Sequence, residues 1–192
     1  MQNIYETAFT GGASFPHFLA EAGDNRELWH AFAQRVALDA PAASRVEKVG
    51  GCWRLLVLAD DWCGDAVNTV PVIARLAEAA QGMELRIVPR DRHPELRDRH
   101  LTNGSRSIPI VLLLDEAWVP RGSWGPRPGP LQEKFEVELR GLPADVRYRE
   151  IRKWYARDRG QTTAREFAEL VERGAREAGL SEGLPCPEPR VA

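Results

Sequence analysis

Leu55–Leu58 is an unbroken apolar run, and the pattern changes after Cys63. From there Val67, Val70, Ile73 (with Val72 beside it), Leu76 and Ala77 recur at a helical period near ~3.6 residues. The run predicts a buried strand and the recurrence a helix with one apolar face, with Cys63 in the turn between them. The helix is expected to reach about Ala80 and to end before Gly82. Met83 to Pro89 (MELRIVP) alternates as a second strand, and a strand, helix, strand run of this length implies a right-handed parallel crossover. Pro109 to Leu114 (PIVLLL) reads as a third, buried strand. Asp115-Glu116-Ala117 then turns into Trp118 and Val119 as an antiparallel partner, which makes the sheet mixed. Trp53 to Ala59 bounds the first strand.

Helical patterns flank this sheet. Phe15 to Leu38 reads as one helix in which Asp24 can cap, Leu28, Trp29, Phe32 and Val36 face inward, and Glu27 and Arg35 face outward. Pro41-Ala42-Ala43-Ser44 breaks it, and Ser44 to Gly51 is a short helix or a loop. Pro94 opens a short helix through Leu101 that Asn103-Gly104 stops. Ser123 to Pro130, rich in Gly and Pro, is expected to be a loop. Leu131–Leu139, Val146–Arg157 and Thr162–Ala178 are helical by pattern, the last with Thr163 as cap, Glu166 three residues on, and Phe167, Leu170 and Val171 inward. The expected organisation is an N-terminal helical extension over residues 1–52 packed on a core domain over residues 53–180, followed by a flexible tail over residues 181–192 that holds Pro185, Pro187 and Pro189.

Composition narrows the function. The 192 residues carry 43% hydrophobic and 28% charged side chains, which suits one globular domain with helical additions. A net charge of -2, with Lys and Arg scattered among acids, gives no electrostatic case for nucleic acid. The N-terminus has no basic region followed by an apolar core, and no stretch reaches the roughly 18 apolar residues of a membrane span, so no membrane partner and a cytoplasmic location are expected. Cys52, Cys63 and Cys186 are too few and too irregularly spaced for a disulfide framework or a zinc site, and a reducing compartment suits them. Arg90, Asp91, Arg92, His93, Arg99 and His100 read as a solvated polar cluster without metal-ligand spacing.

The chemistry concentrates at Cys63. A cysteine at a strand-to-helix turn meets unpaired helical N–H groups and the positive end of the helix dipole, both of which favour a thiolate. Asp60, Asp61 and Asp65 oppose that by like-charge repulsion unless they cap the helix or face solvent. Cys52 is not placed to pair with Cys63: an extended strand advances ~3.3 Å per residue, which separates the two by ~20 Å, whereas a disulfide needs Cα atoms within ~7 Å. Cys52 therefore reads as a core or sheet-end residue and Cys186 as an incidental tail cysteine.

The segment Trp62-Cys63-Gly64-Asp65-Ala66 resembles the Trp-Cys-Gly-Pro-Cys redox turn of thioredoxins. Pro71 falls where thioredoxins kink the following helix, and Ser107-Ile108-Pro109-Ile110 resembles their cis-proline turn. The resemblance covers about Trp53 to Ser123. Together with Asp61 and Trp124-Gly125-Pro126-Arg127-Pro128, it is similar to a single-cysteine thioredoxin-like group. It implies an α/β fold with a thioredoxin-like mixed sheet flanked by helices, the N-terminal helices and extra C-terminal helices being additions. It also implies a cis Ile108–Pro109 bond against Cys63, where the Ile108 backbone pairs with an extended substrate.

Two departures limit the activity that this resemblance implies. Ala66 occupies the position of the second, resolving cysteine, and Val57 that of a buried acid. A dithiol cycle needs the second sulfur to release the mixed disulfide, so this turn does not complete that cycle alone. The expected activity is thiol–disulfide exchange through Cys63, with Trp62, Gly64, Asp65, Ala66, Ile108 and Pro109 contacting the protein or small-molecule disulfide. No metal or bound cofactor is expected beyond a low-molecular-weight thiol as co-substrate. The alternative is a non-catalytic module that binds an extended peptide in the groove between Trp62, Ile108-Pro109 and Trp124. The Trp124–Pro128 loop itself reads as a rigid packing loop or as a contact surface beside the Cys63 turn, the buried area of an indole favouring packing.

Overall fold

The structure is a computed structural model that describes residues 3–180, Gly183 and Cys186. Four helices precede the sheet: α1 (Ile4–Thr10), α2 (Phe15–Glu21), α3 (Arg26–Arg35) and α4 (Ala40–Val49). Then come β1 (Trp53–Leu58), α5 (Gly64–Ala79), β2 (Met83–Val88), α6 (Pro94–Arg99), β3 (Ile110–Leu114) and β4 (Pro120–Trp124). The chain closes with α7 (Gly129–Lys134), which runs on into a π-helical turn over Phe135–Leu139, α8 (Ala144–Asp158) and α9 (Gln161–Glu177).

The sheet order is β2-β1-β3-β4, with β1 parallel to β2 and antiparallel to β3, and β3 antiparallel to β4. The expected mixed α/β sheet flanked by helices is therefore present. Leu55–Leu58 and Val111–Leu114 are almost fully buried, as central strands covered on both faces must be, which is why their sequences do not alternate. α1 packs against β1 and β2, α2 and α5 against β2, and α9 against β3 and β4. A second, smaller core joins Leu131, Leu139, Ile151 and Tyr155, with Phe135 and Trp154 packed on it.

Several boundaries differ from the pattern. Residues 15–38 form two helices, because the backbone N–H groups of Gly23 and Asp24 both donate to Asp61 Oδ2, at 2.7 and 3.0 Å. The cap of α3 is Asn25, in a left-handed conformation, and not Asp24. Trp29 is buried and donates from its indole to the Asp61 carbonyl at 2.9 Å, whereas Leu28 faces outward. Pro41 sits in the first turn of α4, where its missing N–H costs nothing, and the Asp39 side chain accepts from Ala42 N at 2.8 Å. Trp118 and Val119 belong to the turn before β4, and β4 extends into the segment read as a loop, up to Trp124. Thr163 is buried inside α9 and does not cap it; Gly160 does.

The cysteine reading is corrected outright. Cys52 and Cys186 form a disulfide, with Cα atoms 4.9 Å apart, so Cys52 is not a mere sheet-end residue and Cys186 is not incidental. Gly82, at φ +78°, makes room for it: a Cβ there would come within 2.6 Å of Cys186 Cβ and 2.4 Å of the Gly51 carbonyl. The flexible tail expected over residues 181–192 otherwise lies outside the described residues. No helix among the described residues is long and apolar enough to cross a membrane, and they hold no group of three or more His, Cys, Asp or Glu side chains placed to bind a metal.

The disulfide closes a loop across a sequence separation of 134 residues. In a chain-entropy account such a loop is worth up to ~5 kcal/mol. Reduction is expected to lower the urea midpoint of the parent and to leave that of Cys186→Ser unmoved. Thiol titration of the denatured, unreduced protein should find one free thiol, and three would show the bond to be absent.

Candidate functional site

Cys63 is the N-cap of α5. Its backbone N–H donates to the Asp60 carbonyl at 3.1 Å and its own carbonyl accepts from Val67 N at 3.1 Å, which fixes it between strand and helix. The side chain is 7% exposed, and the thiol lies 3.4 Å from the Ile108 carbonyl, to which it donates. The Ile108–Pro109 bond is cis, and so is Gly125–Pro126. Gly125 lies at φ +122°, and a Cβ there would stand 2.2 Å from the Pro109 carbonyl, so only glycine lets the segment after β4 pass so close to the cis-proline turn.

Burial pushes the Cys63 thiol up to about 11, and the nearby Asp65 charge pushes the same way. The helical N–H groups of Ala66 and Asp65 and the charge of Arg127 pull it down, but burial prevails. The helix terminus therefore acts as the sequence predicts and is outweighed. In the resting state the sulfur is a protonated thiol.

The Asp65 carboxylate is largely withdrawn from solvent. Its Oδ2 lies 2.7 Å from Arg127 Nη2, its Oδ1 accepts from the Tyr155 hydroxyl at 3.0 Å, and its side chain is 11% exposed. Burial lifts its carboxyl above the ordinary carboxylate range, against Arg127 and Tyr155. Arg127 also donates to Gln132 at 3.1 Å and stacks 4.2 Å from the Phe135 ring. Trp124 donates to Glu166 at 2.8 Å, and Gly129 N donates to the other Glu166 oxygen at 2.9 Å. The Trp124–Pro128 segment thus packs and in addition delivers a guanidinium to the Cys63 turn.

A cleft of about 570 Å³ opens over Cys63. Trp62, half exposed, and Gly64, Asp65 and Ile108 line it, whereas Ala66 and Pro109 are buried and lie outside the lining. Leu28 and Phe32 of α3 and Tyr148, Ile151 and Arg152 of α8 line it too, along with Arg90, Arg106 and Arg127. Sequence reading does not place α8 at Cys63, and it brings Arg127 there only within the reading of Trp124–Pro128 as a contact surface. The available signal was the acid at position 65, which needs a cation once it is buried. Arg90 and Arg97 pair with Asp91, and Arg97 and Arg106 with Asp98, so that polar cluster is an ion-pair network as well as one edge of the cleft. Cys52 and Cys186 lie at the far end of β1 from Cys63.

Removing Arg127 while Asp65 stays buried strands a carboxylate. Arg127→Met is expected to cost roughly 3–5 kcal/mol in urea unfolding, and adding Asp65→Asn should restore more than half; equal losses in the single and double variants would refute the pairing. Because the Cys63 pKa is raised on folding, its contribution is fully present below the unfolded thiol pKa and is lost as pH rises through about 11. Across that window the parent should lose roughly 2–3 kcal/mol more stability than Cys63→Ala. Parallel pH profiles would show the thiol to be unperturbed.

A thioredoxin family sequence model (Thioredoxin_9) matches residues 12–140. No curated protein matches the sequence. Two solved structures share its fold. A protein of unknown function from Pseudomonas aeruginosa aligns with a TM-score of 0.70 at 21% identity, over 89% of this chain and 98% of that one. An HIV epitope-scaffold aligns with a TM-score of 0.67 at 20% identity, over 88% of this chain and 97% of that one. With the cysteine at the head of α5, the cis-proline turn beside it and a family match over most of the sequence, this chain belongs to the thioredoxin family.

Proposed function

We propose that this protein carries out thiol–disulfide exchange through Cys63 alone, with an external thiol releasing the product. The observation that carries this reading is the Cys63 sulfur standing 3.4 Å from the Ile108 carbonyl at the head of a cleft large enough for a small ligand. Trp62, Gly64 and Ile108 would meet the disulfide directly. Ala66, through its backbone N–H, and Asp65 and Pro109, by position, would shape the reacting sulfur's surroundings. Since the other two cysteines are bonded to each other at the opposite end of β1, a low-molecular-weight thiol is the natural resolving reactant. The cytoplasmic location expected from the sequence belongs to this proposal, and the Cys52–Cys186 bond weighs against it, because structural disulfides persist in oxidising compartments.

One observation favours a second reading, a non-catalytic binding module: the thiol is pushed up to about 11. Such a thiol is ionised to only ~10⁻⁴ at pH 7, and although its thiolate is intrinsically more nucleophilic, the net rate falls roughly 20- to 30-fold below that of an ordinary cysteine. Exchange would then depend on a substrate that displaces the thiol from the Ile108 carbonyl.

The two readings separate in a Cys52→Ala/Cys186→Ala variant treated with 2-hydroxyethyl disulfide. A mixed disulfide on Cys63, released by added thiol and absent in Cys63→Ser, is expected by mass spectrometry; its failure to form leaves only the binding module. The parent should not reduce insulin in steady turnover with a thioredoxin reductase, whereas Ala66→Cys should do so at least weakly. Equal turnover by both would show that a resolving sulfur already exists.

A further inference from the structure

The cleft over Cys63 has a charge that the chain as a whole does not. The protein carries a net charge of -2, yet among the described residues the charged groups lining this cleft are Arg90, Arg106, Arg127 and Arg152 against the carboxylate of Asp65. Asp65 is paired with Arg127, which leaves three guanidinium groups on the wall. Asp91 and Asp98, which hold Arg90 and Arg106, do not line the cleft. The Arg152 side chain makes no hydrogen bond or ion pair among the described residues. Arg127 Nε, inside the same site, is buried without a hydrogen-bond partner among the described residues.

Apolar surface accompanies these charges. Leu28, Trp62 and Tyr148 are each about half exposed and all line the cleft, and the Arg90 guanidinium sits 5.3 Å from the Trp62 ring centroid. Arginine is suited to carboxylates because its planar fork donates two parallel hydrogen bonds. A volume of about 570 Å³ admits a small molecule of drug-like size. A ligand that satisfies this wall is small, has an apolar stem to lie on Trp62 and Leu28, and carries a carboxylate.

Resting on the exchange reading, we propose that the group Cys63 takes into a mixed disulfide is that of a small thiol bearing a carboxylate, held by Arg90, Arg106 and Arg152. The Cys63 thiol gives its proton to solvent, and its sulfur attacks the carboxylate-bearing side of a disulfide R–S–S–R′. A Cys63–S–S–R bond forms, the original S–S bond breaks, and R′–S⁻ leaves and takes up a proton. A molecule of R–SH gives its proton to solvent, its thiolate attacks the R sulfur and forms R–S–S–R as the Cys63–S bond breaks, and the Cys63 thiolate takes up a proton to return to the thiol. One disulfide is consumed and one is made, so the protein gains and loses no electrons.

The test compares 3,3′-dithiodipropionate, a dianion, with neutral 2-hydroxyethyl disulfide and cationic cystamine. Rates of mixed-disulfide formation on Cys63 are measured in the Cys52→Ala/Cys186→Ala variant and divided by each reagent's rate with a short cysteine peptide. The dianion should lead the neutral reagent by roughly 10-fold, with cystamine last, and the lead should shrink in 0.5 M NaCl as charges are screened. Arg152→Gln and Arg106→Gln should each cut the ratio of dianion to neutral rates about 3-fold. Normalised rates that are equal, or led by cystamine, overturn the anionic ligand and leave exchange at Cys63 standing. If none of the three reagents modifies Cys63 while the peptide reacts, the exchange reading falls and takes this proposal with it.

Discussion

The buried carboxylate of Asp65 is the constraint on which the site depends. A carboxylate taken out of water at the first turn of a helix is costly unless it is paired and hydrogen-bonded, and here Arg127 and the Tyr155 hydroxyl meet that need. Those two partners come from the segment after β4 and from α8, so one acid next to Cys63 ties together three parts of the chain far apart in sequence. The rest of the segment after β4 is fixed in turn: Trp124 and Gly129 donate to Glu166 on α9, and Gly125 passes against the Pro109 carbonyl. The Trp124–Pro128 segment, the cis-proline turn and α8 are therefore placed with reference to the same few atoms.

The same arrangement decides the state of Cys63. Burial, seconded by the Asp65 charge, outweighs the N–H groups of the helix terminus and the charge of Arg127, so the sulfur stays protonated and donates to the Ile108 carbonyl. In a dithiol turn the second sulfur would stand at position 66; here a buried alanine methyl does, and β1 presents Val57 where an acid would help a second thiol. The turn keeps the fold position of a thioredoxin cysteine and holds no second sulfur at position 66.

The N-terminal helices also build the site. Asp61 turns away from the sulfur: its carboxylate takes the N–H groups of Gly23 and Asp24, and its carbonyl takes the Asn25 amide and the Trp29 indole. This brings α3 beside the Cys63 turn and places Leu28 and Phe32 on the cleft wall, with α8 contributing Tyr148, Ile151 and Arg152. Of the three acids around Cys63, one anchors the neighbouring helices, one is ion-paired, and Asp60 is pushed above the ordinary carboxylate range, chiefly by burial.

By itself the sequence determined the elements whose signal is local. The apolar run of β1, the helical period after Cys63, the crossover to β2, the buried β3 and the three C-terminal helices are all legible because burial of a strand or a helix face imposes a short repeat on the residues themselves. The turn around Cys63 and the cis-proline turn were legible for a different reason, since short, rigid backbone motifs constrain neighbouring residue types. Tertiary structure alone decided whatever depends on a partner distant in the chain. Residues 15–38 divide into two helices because Asp61 claims their N–H groups, Cys52 finds Cys186 across 134 positions, and Asp65 finds Arg127 and Tyr155. Whether Cys63 is a thiolate was likewise beyond the sequence: the helix terminus that favours it is a local feature, whereas the burial that overrules it is the sum of everything folded around it.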